Sequence, residues 1–181
     1  MKAYPYVELT ILDRPQRQAI ELLKAGEIDI AIALESHVPK GLKIRRWMEI
    51  ESVLMVPHKH PLLRAKQITL SDIAQYPLIL PPKSLDSSTR RLMDQRFATE
   101  GIEFRVIMES SNVELSSRYV EAGIGISFAT IAKGLDPLAG RKIRFLPMAK
   151  YFNPDHIALV CGKGKALALH VENFISQVLA S

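Results

Sequence analysis

The sequence is poor in the features that mark extracellular and membrane proteins. Its 181 residues include one cysteine, Cys161, which cannot form a disulfide within the chain. We expect Cys161 to be a small apolar side chain in a strand over residues 157–161. No apolar run reaches the roughly 18 residues of a membrane helix, and residues 1–5 lack the apolar core of a secretory signal. These absences predict a cytoplasmic protein without membrane contact.

Motifs for catalysis are also missing. The sequence contains no Gly-rich phosphate loop, no G-x-S-x-G turn and no Cys–His pair. His58 and His60 form an H-x-H pair, but no neighbouring Cys, Asp or Glu completes a set of metal ligands. Asp94 and Glu100 belong to a helix whose exposed face is simply charged. We therefore expect no catalytic residue, no metal and no cofactor.

Positive charge is in excess but is not concentrated. The net charge of the chain is +5, and the Lys and Arg residues cluster only at Lys43, Arg45 and Arg46. We predict an edge strand there, where exposed basic residues also discourage aggregation between sheet edges. The charge pattern therefore does not predict that this chain itself binds nucleic acid.

What the sequence does contain is a repeated alternation of short apolar runs with helical segments, which predicts an α/β fold. Apolar residues make up 48% and charged residues 24%, so a core can form without disulfides or metals. The predicted strands cover residues 6–12, 28–34, 42–48, 52–56, 78–80, 104–108, 124–129, 143–146 and 157–161. The first predicted helix opens at residue 13 and stops at Gly26. The other predicted helices cover residues 70–74, 88–100, 112–122 and 166–179.

The order of these elements predicts two lobes. Turn residues at 57–61 end the first lobe, and the strand at 157–161 returns the chain to it. We assign residues 1–57 and 159–181 to lobe I and residues 58–158 to lobe II, inserted in lobe I. Two crossings between α/β lobes imply a cleft, and small ligands commonly bind in such clefts.

Five segments then point to a known family. They read YPYVEL at 4–9, LKAGEIDIAI at 23–32, VPHKHPL at 56–62, ITLSDIAQYPLI at 68–79 and VEAGIGI at 120–126. In this order and spacing, they resemble the effector-binding domain of LysR-type bacterial transcription regulators. The resemblance covers essentially the whole chain. It implies a two-lobed type 2 periplasmic-binding-protein-like fold with a ligand cleft between the lobes.

The sequence departs from the family in two respects. The family's domain begins with a strand and a helix ahead of the Tyr-Pro segment, whereas this sequence starts at that segment. We expect lobe I to lack these elements, which leaves sheet edges for another chain to cover. The sequence also contains no winged helix-turn-helix region. Contact with DNA is therefore expected only through an N-terminal domain outside this chain.

Helix starts are the strongest candidates for the ligand site. Free N–H groups and the helix dipole attract anions, and lobe II offers two serine-rich starts, at residues 87–89 and 110–112. The spacing of Ser111 and Glu114 predicts a capping box. The alternative is that these polar residues only cap their helices. The resemblance implies ligand contacts by Ser84, Ser87, Ser88, Ser111 and Asn112, and Thr89, at the same helix start as Ser88, is a further candidate.

Three further residues complete the predicted site. The family places the end of the strand that carries Phe128 and Thr130 at the cleft floor, although Phe128 could equally be an ordinary core residue. Arg14 follows the end of a predicted strand in lobe I. It could bind a carboxylate through two hydrogen bonds, or it could be a solvated surface residue.

The resemblance predicts a sensor rather than an enzyme. Its ligand would be a small anionic metabolite, and its partner a second copy of the chain in a homodimer or tetramer. The alternative is the solute-binding protein of a transporter with the same fold. A winged helix or a signal sequence encoded upstream would distinguish the two. The sequence does not identify the effector or the target genes.

Overall fold

The computed structural model describes residues 6–83, 88–134, 138, 140–163 and 167–180. These residues form five α-helices, two short 3-10 helices and seven strands, in an α/β arrangement. The chain divides into two compact units. Unit 1 contains the described residues up to Ile50 and from Asp155 onward, and unit 2 extends from Glu51 to Pro154. The lobe boundaries at 57–58 and 158–159 stay a prediction.

Unit 1 is built on an antiparallel sheet. Strand β7 (Asp155–Cys161) pairs on one side with β1 (Ala31–Leu34) and on the other with the first part of β2 (Lys43–Pro57). Helices α1 (Gln16–Ala25) and α5 (Leu169–Ala180) each bury an apolar stripe, as amphipathic helices do.

The start and end of α1 follow from local chemistry. Pro15 occupies the N-cap, where its missing N–H costs nothing. Gly26 ends the helix in the left-handed conformation, at φ 77°, which confirms the predicted cap. Between them, Ile20 and Leu23 pack in a small core with Val160 of β7.

Unit 2 contains the parallel part of the structure. Strand β3 (Leu78–Leu80) lies between β4 (Val106–Glu109) and β5 (Ile126–Ala132) and is parallel to both. The later part of β2 pairs with the antiparallel β6 (Ile143–Pro147). Helices α2 (Leu70–Ala74), α3 (Ser88–Thr99) and α4 (Val113–Glu121) complete the unit.

Two hydrophobic clusters pack in unit 2. In one, Met93 and Phe97 of α3 pack with Leu78 and Leu80 of β3. In the other, Val120 of α4 packs with Ile79 of β3 and with residues of β2 and β5. Alternate residues of β3 therefore serve different clusters, as the two-residue period of a strand requires. This is why β3 is apolar at all three positions.

Two strand predictions were wrong. Residues 7–15 form no regular secondary structure, and Tyr6 and Ile11 are 96% and 81% exposed. A strand needs a hydrogen-bonded neighbour, and no described strand pairs with residues 6–12. The strands predicted at 42–48 and 52–56 form one strand, β2, whose pairing with β7 is irregular between Arg46 and Met48. The irregularity interrupts the alternation without ending the strand.

Gly125 is required by a close backbone approach. A Cβ at this position would lie 2.7 Å from the carbonyl oxygen of Pro77 and 3.3 Å from Cγ1 of Ile79. The Pro77 oxygen also accepts a hydrogen bond from the Ile126 N–H at 2.9 Å, so it cannot move away freely. The glycine therefore allows β5 to begin directly against the residue before β3.

We predict that Gly125→Ala lowers the free energy of unfolding by about 1–3 kcal/mol, because the methyl group would overlap this oxygen. Chemical denaturation measures the difference. Gly162→Ala is the control, because a Cβ there meets no atom within 4 Å. Equal stabilities of the Gly125 and Gly162 variants would contradict the packing argument.

The H-x-H pair has a structural explanation. His60 caps the 3-10 helix Pro61–Arg64, because its Nδ1 accepts a hydrogen bond from the Leu62 N–H at 3.3 Å. Its ring also packs edge-on against Tyr76, with ring centroids 4.3 Å apart. His58 is exposed. Burial lowers the pKa of His60 below its ordinary value, so the neutral ring is the form that the fold favours.

This lowered pKa predicts an acid-dependent loss of stability. Protonation favours the unfolded chain, so His60's contribution is complete above pH ~6.5 and decreases as the pH falls below that value. Chemical denaturation at pH 7.5 and pH 5.5 measures the free energy of unfolding at each pH. Its decrease from pH 7.5 to pH 5.5 should be larger for the wild type than for His60→Asn, whose side-chain oxygen retains the cap. Identical losses in both proteins would exclude His60 as the titrating group.

Candidate ligand site at the carboxyl ends of the parallel strands

The parallel pairing in unit 2 places two loops side by side. Leu80, the last residue of β3, is aligned with Glu109, the last residue of β4. The Ser110 N–H donates to the Leu80 carbonyl oxygen at 2.8 Å, so both loops leave the sheet together. On the other side, the Ser127 hydroxyl donates to the Ile79 carbonyl oxygen at 2.8 Å. Ligands of α/β folds bind at this type of sheet edge.

Helix α4 starts directly after β4. Asn112 is its N-cap, and its side-chain oxygen accepts a hydrogen bond from the Leu115 N–H at 2.9 Å. Ser110 donates to the Asn112 carbonyl oxygen at 3.3 Å, while Ser111 is exposed. The positive end of the helix dipole therefore lies at the sheet edge, bordered by hydroxyl and amide groups.

The capping box predicted for Ser111 and Glu114 was wrong by one position. The helix is capped by Asn112, which places Glu114 at the second helical position instead of the third. Glu114 makes ion pairs with Arg141 and Arg118. Asparagine is at least as good an N-cap as serine, so the pattern alone did not distinguish the two neighbours.

The other helix start is only partly described. Ser88 and Thr89 open α3, and Ser84 and Ser87 lie outside the described residues. Helix α3 follows β3 in the chain, so its start belongs to the same loop as the carboxyl end of β3.

The remaining predicted site residues lie in different surroundings. Phe128 is 7% exposed and packs edge-on against Phe152, with ring centroids 5.6 Å apart, as a core residue does. Thr130 is exposed on β5, beyond the level at which β3 ends. Arg14 is exposed in unit 1, and its guanidinium donates to the Asp13 carbonyl oxygen at 2.7 Å. Site roles for these three residues stay predictions.

Sequence reasoning missed Arg90. Its side chain is 4% exposed and contacts Asp94, Glu109 and the Pro81 carbonyl oxygen. The missed signal is periodicity: Arg90 lies three and seven residues before Met93 and Phe97, on the apolar face of α3. A charge in that position needs buried partners.

The basic cluster on β2 is paired with carboxylates. Arg45 contacts Glu172 at 2.6 Å, and Arg46 holds both carboxylate oxygens of Glu35 at 2.7 and 3.0 Å. The hydrogen bond from Arg46 lowers the pKa of Glu35 below its ordinary value. Two of the three basic residues are therefore paired with carboxylates within unit 1.

One group in unit 1 has the residue types of a metal or catalytic site. Ligand atoms of Glu35, Asp155 and His156 lie within 4.8 Å of one another. However, Arg46 occupies the Glu35 carboxylate, and Asp155 accepts from the Ser36 N–H and hydroxyl at 3.2 and 2.5 Å. The Asp155 carboxylate therefore bonds the serine hydroxyl directly, whereas in a Ser-His-Asp triad the aspartate bonds the histidine ring.

Cys161 is confirmed as an interior residue. It is 1% exposed in β7, and burial raises the pKa of its thiol. A buried thiol with a raised pKa is a poor nucleophile.

Among the described residues, no helix combines the length and apolar character needed to cross a membrane.

The fold is of the α/β class, and comparison with known proteins assigns its family. The family model for the LysR substrate binding domain matches residues 1–181. This chain belongs to that family. The fold class expected from the sequence, a two-lobed periplasmic-binding-protein-like fold, is confirmed by the structural relatives.

Among curated relatives, the regulator CysB of Burkholderia cenocepacia is 30% identical over 176 residues, which cover 96% of this chain and 55% of that protein. The regulator cbl of Escherichia coli is 32% identical over 125 residues, or 68% of this chain and 39% of that protein. The chain thus spans about half the length of the curated relatives it matches.

Solved structures show the same fold. The cofactor-binding domain of Cbl has a TM-score of 0.71 at 25% identity, over 91% of this chain and 72% of that chain. The regulatory domain of CcmR from Synechocystis, in complex with 2-PG, has a TM-score of 0.79 at 20% identity, over 99% of this chain and 85% of that chain.

The identity of the α4 cap can be tested by stability. Asn112→Ala should lower the free energy of unfolding by about 1 kcal/mol, because the Leu115 N–H loses its acceptor. Ser111→Ala is the matched control and should be close to neutral, since Ser111 is exposed and does not cap the helix. A larger loss of unfolding free energy for Ser111→Ala than for Asn112→Ala in a denaturation experiment would identify Ser111 as the cap.

Proposed function

We propose that this chain is the effector-sensing domain of a LysR-type transcription regulator and binds a small anionic metabolite. DNA would be contacted through an N-terminal winged-helix domain outside this sequence, in the cytoplasm, by a homodimer or tetramer. The role is regulatory, without a reaction catalysed by the chain. The observation that carries the proposal is the start of α4 at the carboxyl ends of parallel strands, in a chain that matches the LysR substrate-binding domain throughout.

The chemistry at this edge favours an anion. The helix dipole contributes partial positive charge, and the first N–H groups of α4 have no partner within the helix. Ser111 and Asn112 are exposed next to them. We place the ligand against Ser111, Asn112 and the start of α3 at Ser88 and Thr89, with Thr130 beside it. Ser84, Ser87 and Phe128 remain in the proposed site on the strength of the family resemblance.

Structural relatives support the ligand class. One solved structure is the effector-binding domain of QuiR in complex with shikimate, which is a carboxylic acid, and the CcmR domain was solved with 2-PG. Both are small polar molecules, as a site of hydroxyl groups and helix N–H groups would select.

A thermal-shift screen of small carboxylates and phosphates tests the ligand class. Binding to the folded chain alone raises the melting temperature, and the shift increases with ligand concentration. We expect at least one anionic metabolite to stabilise the chain and neutral analogues of it to have no effect. Stabilisation by neutral sugars alone would contradict the anionic assignment.

Two substitutions then test the location of the site. Ser111→Ala and Ser88→Ala should each weaken binding of the screened anion by about 1 kcal/mol or more, the contribution of one hydrogen bond. Isothermal calorimetry measures the change. Ser71→Ala is the control, because Ser71 is an exposed serine of the same unit on α2. Unchanged affinity in both site variants would exclude the helix-start model.

A further inference from the structure

A buried arginine links the two loops of the candidate site. The Nη1 atom of Arg90 donates to the Pro81 carbonyl oxygen at 2.7 Å and lies 3.3 Å from a carboxylate oxygen of Glu109. Its Nε lies 3.1 Å from both oxygens of Asp94, one turn further along α3. Pro81 directly follows β3, and Glu109 ends β4. One guanidinium therefore contacts the loop after β3, the end of β4 and helix α3.

Only arginine can make this set of contacts. Its planar group presents five N–H donors in fixed directions, whereas a lysine ammonium is a compact point charge on a flexible chain. With the side chain 4% exposed, water cannot replace a lost partner. The carboxylates and the carbonyl oxygen must therefore remain in place around the charge, because an unpaired buried cation is unfavourable.

We propose that Arg90 is the positioning residue of the effector site. It holds Pro81, the residue after β3, and Glu109, the end of β4, in one fixed arrangement. Ser111 and Asn112 at the start of α4 are thereby presented to the ligand together with the start of α3. This inference rests on the proposed function for the identity of the site. The guanidinium already bonds Asp94, Glu109 and the Pro81 carbonyl oxygen, so we assign it the positioning of the loops.

The chain leading to α4 explains how the effect is transmitted. Glu109 is followed directly by Ser110, whose N–H bonds the Leu80 carbonyl oxygen. Asn112, two residues further, caps α4. Release of the Glu109 carboxylate would remove the side-chain link and leave the backbone bond from Ser110 to Leu80 to join the two loops at this level of the sheet. The two loops would then be held less firmly relative to each other.

Amide hydrogen exchange, followed residue by residue by NMR, tests the inference. The reporting amides are those of Ser110, Leu115 and Ser116, each hydrogen-bonded at the carboxyl-end loops. The reference amides are those of Leu78 and Ile126, the first residues of β3 and β5, which lie at the amino ends of these strands. Local opening exposes only the first set, while global unfolding exposes both.

Arg90→Lys and Glu109→Ala should speed exchange of the reporting amides by at least about tenfold and change the reference amides by less than about twofold. Glu109→Gln, which retains an acceptor oxygen for Nη1, should rescue most of the effect. Arg96→Ala, at an exposed arginine of the same helix, is the control. Glu109 is 48% exposed, so its variants are expected to fold even where Arg90 variants do not.

Two outcomes would overturn the inference. Unchanged exchange in both variants would show that the loops do not need the arginine. An equal rise at reporting and reference amides would show a contribution to overall stability without a local positioning role. Wild-type-like exchange in Glu109→Gln together with fast exchange in Glu109→Ala supports the proposal.

Binding of inorganic phosphate and of shikimate, measured by calorimetry, separates this inference from the proposed function. If Ser111→Ala weakens binding of either probe and Glu109→Ala does not, the positioning role is wrong and the effector site stands. If Ser111→Ala has no effect or neither probe binds the wild type, the site assignment loses its support, and amide exchange alone decides the role of Arg90. Loss of about tenfold in affinity for Glu109→Ala, expected when loops that carry ligand groups lose their geometry, supports both.

Discussion

The parallel pairing of β3 with β4 and β5 places two loops and the start of α4 at one edge of the sheet. Parallel strands end on the same side, so the polar residues after each strand collect there as a direct result of the strand pairing. The α4 dipole, the Asn112 cap and the Arg90 contacts all act at this edge. If β3 were shifted in register, Leu80 would no longer align with Glu109, and the loops would separate.

Much of the fold could be predicted because local signals and packing agree. The left-handed Gly26, the helix α2 and the strand β3 were expected at or near their observed places. The strand predicted at residues 6–12 does not form. Alternation of apolar residues indicates which face of a strand is buried, but not whether a neighbouring strand is present to pair with it. Likewise, Thr69 and Asp72 form a capping box at the start of α2 that was not predicted.

The candidate site was predictable in position more than in detail. Short polar residues after apolar runs indicate helix starts, and that reasoning located α3 and α4. It could not choose between Ser111 and Asn112, because both side chains can cap a helix. The role of Arg90 could not be predicted, because its partners Pro81 and Glu109 come together only when β3 and β4 pair. Phe128 shows the same dependence, since its core contact Phe152 is distant in sequence.

The most direct test of the account is an NMR titration of the isotopically labelled chain with an anionic metabolite that raises its melting temperature. Backbone amide shifts report where the ligand lies without depending on any substitution. The account predicts that the largest saturable shifts occur at residues 110–115 and at the first turn of α3. Saturable shifts confined to α1, α5 or other surfaces away from the carboxyl ends of β3 and β4 would contradict it.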